Sequence, residues 1–558
     1  MARATACALK RHIARCVTTA LLALLTALVG VACSRVERSG SSGRHSWTEP
    51  GILRIASVSD PDTLSPLVGN FQIDFDLAMF WGGFLFNYSD KNELVPELAL
   101  REPTLANHGI APDGRTITYH LRKGVRWQDG PPFTAADVIF TWHAIMNPRN
   151  NVGDRSAYER ITRIDAPDPF TIVVHLDRPY APFVATFLTQ GSIPIPVYPK
   201  HLLAQYPDLN RIAYNTAPVG TGPFKVLVWH RGGTIRMVAN STYWRGPPKL
   251  KEVDYRAIPD EQTIVTLLKT HEIDLWYNAD SALYPLVKNI SGTHVDLTPF
   301  TWYDQIGFNT VRPALHDVRV RQALAYATNR KAIVDATSFG VNTLGEGDQP
   351  DVSWAHNPNV RSYPYEPARA NALFDAAGWH RAADGIRTRN GKRLTLEVAT
   401  LAGETIGQRT AVLLQSQWRA VGVELIVKTY ASGLMFATYG AGGIIQGGKM
   451  DLAYSGWLNG VDPDDSMIVT CAAIPPAGQN YYRYCNPTVD RLEQTALTHD
   501  ERAVRRRAYE RVQRIIVDEV PFLTLSFNRQ MSVVSNDLHN YRPAHAVTAF
   551  WNTWDYTI

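Results

Sequence analysis

The sequence predicts an α/β protein made of several sub-domains. Three observations lead there. Short runs such as 116–122 and 171–176 alternate apolar and polar residues, as half-buried strands do. Runs such as 135–146 and 408–422 instead repeat apolar residues at helical spacing, and the two kinds of run are interleaved along the chain. The 558 residues, 45% of them hydrophobic, suffice for two or three separate cores.

The chain opens with Arg3, Lys10, Arg11 and Arg15 and no acid, followed by an apolar run over 17–32. A basic stretch before an apolar one predicts a secretory leader, residues 1–32. The run is shorter than the ~20 residues of a membrane span. Residues 33–50, rich in Ser, Gly, Arg and Glu, are expected to be a flexible tether. The formal net charge of +4 is carried by the four bases of the leader, so the remainder is neutral. No basic field remains for nucleic acid. Of five cysteines, Cys7 and Cys16 fall in the leader and Cys33 follows it. Cys471 and Cys485 are left as an even pair in an oxidising compartment, where a disulfide is expected.

Residues 51–59 alternate as a strand around Leu53 and Ile55, and 60–66 is a turn. Residues 71–85 carry apolar side chains at helical spacing, with Phe75 and Met79 expected in the core. From 113 to 142 the chain reads as a hairpin and a helix. Ile117, Tyr119 and Leu121 share one face of its first strand, Lys123-Gly124 turns the chain, and Val125 and Trp127 share a face of the second. Thr134 with Asp137 three residues on is a near variant of the capping box, and Asn147-Pro148 ends the helix. Ile193-Pro194-Ile195-Pro196 lacks the donors of a central strand and reads as a crossover.

Val219-Gly220-Thr221-Gly222-Pro223-Phe224 supplies glycines for positive φ or close backbone approach. A phosphate loop would need Lys followed by Ser or Thr and then a helix, and here a strand follows. A helix is expected over 260–268. Asp317 caps a helix in which Val320, Leu324, Ala327 and Val334 share a face, while Arg319 and Arg321 lie on a solvated or paired face. Strands are expected at 394–400 and 423–427, flanking a helix over 408–422 with Val412, Leu413 and Trp418 inward. A late helix over 509–517 and a strand over 521–527 follow. No Gly-x-Ser-x-Gly or His-Glu-x-x-His occurs, and the histidines are scattered, so no enzyme and no cofactor or metal is expected.

Leu121-Arg122-x-Gly124-Val125-x-Trp127-x-Asp129-Gly130, followed by Phe133-Thr134 and Ala135-x-Asp137-Val138-x-Phe140-Thr141, resembles a long family pattern. It is similar to the signature of the family 5 extracellular solute-binding proteins, the peptide-binding type that serves ABC importers. Pro96-Glu97-Leu98-Ala99, 219–224 and Asp317-Val318-Arg319-Val320-Arg321 resemble further landmarks of that family. Val29-Gly30-Val31-Ala32-Cys33 resembles a bacterial lipobox, with Gly30 where a leucine is usual, which implies that Cys33 is lipidated.

The resemblance implies a two-lobe, periplasmic-binding-protein-like α/β fold of the class II (cluster C) type, with three sub-domains and a hinge. The expected divisions are 51–67 with 191–297 and 524–558 for the core of lobe I, 68–190 for the sub-domain attached to it, and 298–523 for lobe II. It implies a monomeric receptor, anchored in the cell envelope, that holds a solute between closing lobes and passes it to an ABC permease. A sensor that signals to a membrane partner is the other role such a receptor could have.

Peptide binders of this family place an Asp three residues before Asp462-Pro463-Asp464, to pair with the peptide ammonium; here the residue is Asn459. Dipeptide-type members carry an Arg at a place near Leu401, and no base stands between Val398 and Ile406. Two absent charges imply longer peptides held through their backbones, a capped peptide, or a non-peptide solute such as a sugar or metal chelate. Asp462 or Asp464 either supplies the missing charge or belongs to a turn that caps a helix. Trp457 and Tyr303 either wall the pocket or pack between lobes.

Overall fold

Strand Ile52–Ser57 lies between the parallel strands Glu252–Ala257 and Leu275–Ala279 and is buried on both faces, Leu53 and Ile55 packing into one core and Ala56 into another. Even Arg54 is 7% exposed, and its fork donates to Asp274 at 2.8 Å and 2.7 Å. The period-two pattern had one face of this strand polar; its central position buries both. The computed structural model describes residues 43–69, 71–191, 193–545 and 548–558, and residues 47–558 form one compact unit. The leader (1–32), Cys33 and the tether up to residue 42 lie outside the described residues.

Among the described residues the largest sheet has eleven strands. Along its main path the order is Glu424–Tyr430, Thr395–Leu401, Leu452–Leu458, Thr293–Phe308, Phe522–Ser535, Leu275–Ala279, Ile52–Ser57, Glu252–Ala257, Thr234–Ala239 and Phe224–Trp229. Two strands are long. Thr293–Phe308 and Phe522–Ser535 pair antiparallel from Thr293 opposite Ser535 to Gly307 opposite Phe522. One end of this ribbon lies beside Leu275–Ala279 and the other beside Leu452–Leu458. It therefore crosses from one lobe to the other twice. Its register breaks between Pro299 and Tyr303, opposite Phe527–Arg529, where proline removes a ladder donor.

Each lobe has its own core. Leu53, Phe80, Phe224, Tyr255, Tyr277 and Phe550 are among the side chains that fill the first. Ile306, Leu324, Phe374, Leu396, Trp418 and Leu452 are among those of the second. A further core around Trp81, Tyr119, Trp127, Val138 and Phe187 belongs to the region between Leu67 and Tyr214. There the helix Ala135–Met146 starts as expected, with the Thr134 amide donating to Asp137 at 2.9 Å.

The expected hairpin is not formed. Thr116–His120 pairs with Thr171–Leu176, which in turn pairs with Ile161–Asp168. Val125 and Trp127 are each 1% exposed but lie in irregular backbone, with an isolated bridge from Arg126 to Pro132. Pro131 and Pro132 have no N–H to extend a ladder. Three further expectations are corrected. The helix over 318–338 breaks into Val318–Tyr326 and Arg330–Ser338, the second capped by Asn329. Arg321 is 5% exposed, its guanidinium donating to the carbonyls of Leu315, His316, Glu519 and Val520, so it closes the end of the helix Arg502–Glu519 instead of facing solvent. Val412 is 60% exposed, and Thr410, Ala411, Leu414 and Trp418 form the inner face of Thr405–Ala420.

The glycines of 219–224 provide close approach. A Cβ on Gly220 would stand 1.8 Å from the Trp81 carbonyl oxygen, and one on Gly222 2.5 Å from that of Gly82. Gln128, inside the long family-like stretch, ties these segments together by donating to the Phe224 carbonyl at 2.7 Å and accepting from the Gly220 amide at 3.1 Å. Cys471 and Cys485 are joined by a disulfide. Among the described residues no helix is long and apolar enough to cross a membrane.

Two expected outcomes follow. Gly220→Ala should destabilise the chain by about 3 kcal/mol, because backbone cannot yield as a flexible side chain can; a urea melt within 0.5 kcal/mol of the parent, the range of a neutral surface change, would contradict that contact. Burial also raises two carboxyls to about 7, Asp76 beneath the Tyr277 hydroxyl and Glu97 beside Asn87. Unfolded, they titrate near ~4. Their stabilising protonated forms are fully present below ~4 and lost as pH rises towards ~7, on the order of 1 kcal/mol per pH unit and group. Urea melts at about pH 5, inside this window, and at about pH 8, above it, should show that fall, and Asp76→Asn with Glu97→Gln should reduce it.

Candidate functional site

The parallel strands of each lobe point their carboxyl ends at the seam between lobes, the place where open α/β sheets bind ligands. Leu452–Leu458 ends there and runs directly into Asn459-Gly460-Val461-Asp462. Tyr303 lies opposite Trp457 in the ladder. Tyr303 is fully buried, and its hydroxyl has no hydrogen-bond partner among the described residues. Trp457 is half-buried against the neighbouring core.

Asn459 is 3% exposed. Its amide N–H donates to the Thr301 carbonyl on the crossing ribbon at 3.0 Å. Its side-chain Nδ2 donates to the Asp348 carbonyl at 2.6 Å, and its Oδ1 has no partner among the described residues. An ionised Asp could not make that donation, which gives a local reason for an amide at this position. Val461 donates its N–H to the Gly191 carbonyl at 3.0 Å, so the loop touches the region around Tyr88 and Gly191 across the seam.

The two aspartates differ. Asp462 pairs with Arg505 at 2.5 Å, and both side chains are buried. Arg505 also donates to the Ala496 carbonyl at 2.8 Å. Asp464 accepts from the Ser466 amide at 3.1 Å and hydroxyl at 2.7 Å, as a turn residue does, and from the Tyr180 hydroxyl across the seam at 3.2 Å. Leu401 ends the strand Thr395–Leu401, and the charged side chain that follows it is Glu404, bonded to the Gly407 amide at 2.6 Å.

A cavity of about 950 Å³ opens beside this loop. One wall holds Tyr88, Glu102 and Val184; the other holds Trp354, Asp462 and Arg505. Its carboxylates Glu93, Glu102, Asp500 and Glu501 outnumber Lys91 and Arg502 once the Asp462–Arg505 pair is set aside. The guanidinium carbons of Arg502 and Arg505 stand 4.9 Å and 5.3 Å from the Trp354 ring. Sequence reasoning missed Trp354, Arg505 and Asp348, which join the loop through tertiary packing.

The family described as "Bacterial extracellular solute-binding proteins, family 5 Middle" matches residues 93–474. The oligopeptide-binding protein AppA of Bacillus subtilis is 26% identical over 521 residues, 92% of this chain and 93% of that protein. The dipeptide-binding protein of Escherichia coli is 27% identical over 479 residues, 80% and 84% of the two chains. The crystal structure of NikZ from Campylobacter jejuni in complex with Ni(L-His) superposes with a TM-score of 0.75 at 26% identity, covering 92% of this chain and 100% of that one.

Asn459→Asp should be less stable than the parent by about 1–3 kcal/mol near pH 7, since the Asp348 carbonyl loses its donor and gains a charge beside it. Protonating the introduced carboxyl at pH 4 (about its ordinary pKa) should recover part of the loss. Equal melting of the two chains at both pH values would remove Asn459 from this support.

Proposed function

The chain belongs to the family 5 bacterial extracellular solute-binding proteins, whose members bind solutes for ABC importers and are not enzymes, and from that premise we propose that it is a peptide receptor. In this reading it is a monomer tethered by a lipid on Cys33, and it takes peptides longer than dipeptides. The lobes close on the solute by bending where the ribbon loses register, at Pro299–Tyr303 and Phe527–Arg529.

The observation that carries the reading is Asn459. A dipeptide receptor must neutralise both ends of a short zwitterion, because a buried unpaired charge is expensive. Here the Asn459 amide is committed to Asp348, and Glu404 is the charged residue near the place where an arginine would hold the carboxylate. Longer peptides can be held along their backbones with an end left in solvent. The cavity of about 950 Å³ supports this, being at the top of the ~300–1,000 Å³ usual for small-ligand sites. Similarity over 92% of the chain to a protein named as oligopeptide-binding points the same way.

Native mass spectrometry of the secreted domain, with the copurified solute released and identified, tests it. A ladder of mixed peptides is the expected result. A single non-peptide species, such as a metal chelate of the kind named for NikZ, would replace the peptide reading with another solute for the same receptor.

A further inference from the structure

The two ends of the eleven-stranded sheet are finished differently. At one end Phe224–Trp229 loses register between Val226 and Val228. A bulged edge of that kind turns further strands away. At the other end Glu424–Tyr430 pairs with Thr395–Leu401 through seven consecutive positions without a break. Among the described residues no strand lies on its other side. The Glu424 amide donates to the Leu394 carbonyl, and the Tyr430 carbonyl accepts from the Ala402 amide. Alternate residues of a parallel strand bond to the same neighbour, so the amides and carbonyls of Leu425, Val427 and Thr429 point away from the sheet. Gln415 meets one of these groups, donating to the Leu425 carbonyl at 2.8 Å. A carbonyl has a second lone pair for another donor.

An open groove of about 760 Å³ runs between this strand and the helix Thr405–Ala420, lined by Val412 and Ile426, which are 60% and 44% exposed. Charge decides what can fill it. Glu424, Ile426 and Lys428 point to one face of the strand. On that face Thr395 donates to Glu424 at 2.7 Å, and Lys428 pairs with Glu397 at 2.5 Å. A lysine in an edge strand discourages pairing, because an arbitrary partner sets no acid against it. Run antiparallel against itself about Ile426, however, the segment Glu424-Leu425-Ile426-Val427-Lys428 is its own complement. Glu424 of each copy stands opposite Lys428 of the other, Leu425 opposite Val427, and Ile426 opposite Ile426. An axis at Val427 would instead set Lys428 against Ile426 and Glu424 against Tyr430.

We propose that Glu424–Tyr430 is a self-docking edge, by which two copies of this chain join their sheets across a twofold axis at Ile426. Such an interface uses the same patch on both copies and closes at a pair. Opposite charges facing each other across the strands favour this register, and like charges disfavour others. The helices Thr405–Ala420 of the two copies lie on one face of the joined sheet, on either side of the axis. Two strands separate this edge from the crossing ribbon, so pairing leaves the seam between lobes free. Few residues pair in each copy, which makes the contact weak. The monomer of the receptor reading is therefore its dilute state, and copies tethered to one membrane meet at a higher effective concentration. The inference rests on the sheet edge and not on which solute is carried.

The test uses residues 47–558, the compact unit, in which Cys471 and Cys485 are already joined. Across the axis the two Ile426 Cα atoms form a non-hydrogen-bonded pair about 4.5 Å apart, within the ~4.4–6.8 Å that a disulfide spans. Mild oxidation should therefore link Ile426→Cys into a covalent dimer. Thr429→Cys, about 20 Å from its mate at ~3.4 Å per residue, should stay single. In sedimentation equilibrium the parent should pair reversibly. Ile426→Lys sets two like charges against each other on the axis and should raise the dissociation constant about tenfold or more. No association of the parent up to about 1 mM, equal linking of the two cysteine variants, or pairing unchanged in Ile426→Lys overturns the proposal. If Ile426→Lys melts lower than the parent, the cysteine variants decide: linking confined to Ile426→Cys supports the edge, and linking of both or of neither overturns it.

Discussion

The antiparallel ribbon of Thr293–Phe308 and Phe522–Ser535 is the constraint on which the rest depends. Each lobe closes its own core, and the ribbon carries one continuous sheet from the first lobe into the second. Because both crossings belong to one hydrogen-bonded ladder, the lobes can bend about it but cannot slide without breaking register. The break at Pro299–Tyr303 lies where such bending is cheapest, since those residues already lack regular pairing. The ribbon also supports the site: Tyr303 is part of it, and Thr301 holds the backbone of Asn459.

Charge gives the seam its character. The chain outside the leader is neutral overall, yet acids gather where the lobes meet, and two of the bases beside them are already paired. Arg505 serves Asp462, and Arg529 serves Asp351. A buried pair of this kind contributes little net stability but strongly penalises the loss of either partner. Burial raises Asp465 and Glu493 well above the ordinary carboxylate range. The three acids of one loop thus differ: Asp462 pairs with Arg505, Asp464 holds a turn, and Asp465 lies beside other buried carboxyls.

Local signals in the sequence were read well where local physics decides. Thr134 and Asp137 cap a helix because their side chains reach only a few residues, and Asn147-Pro148 ends it for the same reason. Errors arose where a distant partner decided the outcome. Residues 125–127 have a strand's pattern, but the ladder beside Thr116–His120 was taken by Thr171–Leu176, far along the chain. Arg321 read as part of a solvated or paired face, and nothing nearby in sequence shows that its partners are carbonyls at the end of another helix. Val412 and Ala411 exchanged places because a rotation of one residue about a helix is invisible until its neighbour is known.

By itself the sequence determined the α/β class, most of the helices and strands, and membership of a solute-binding family, because periodicity, capping and a long motif are properties of adjacent residues. It also located the loop 459–465, by the residue missing from it. Only the tertiary structure decided what surrounds that loop. Asp348 comes from more than a hundred residues earlier and Glu493 from a later helix, and no spacing rule joins them to Asp465. Their meeting is set by how the second lobe packs against the ribbon, through contacts between residues far apart in the chain.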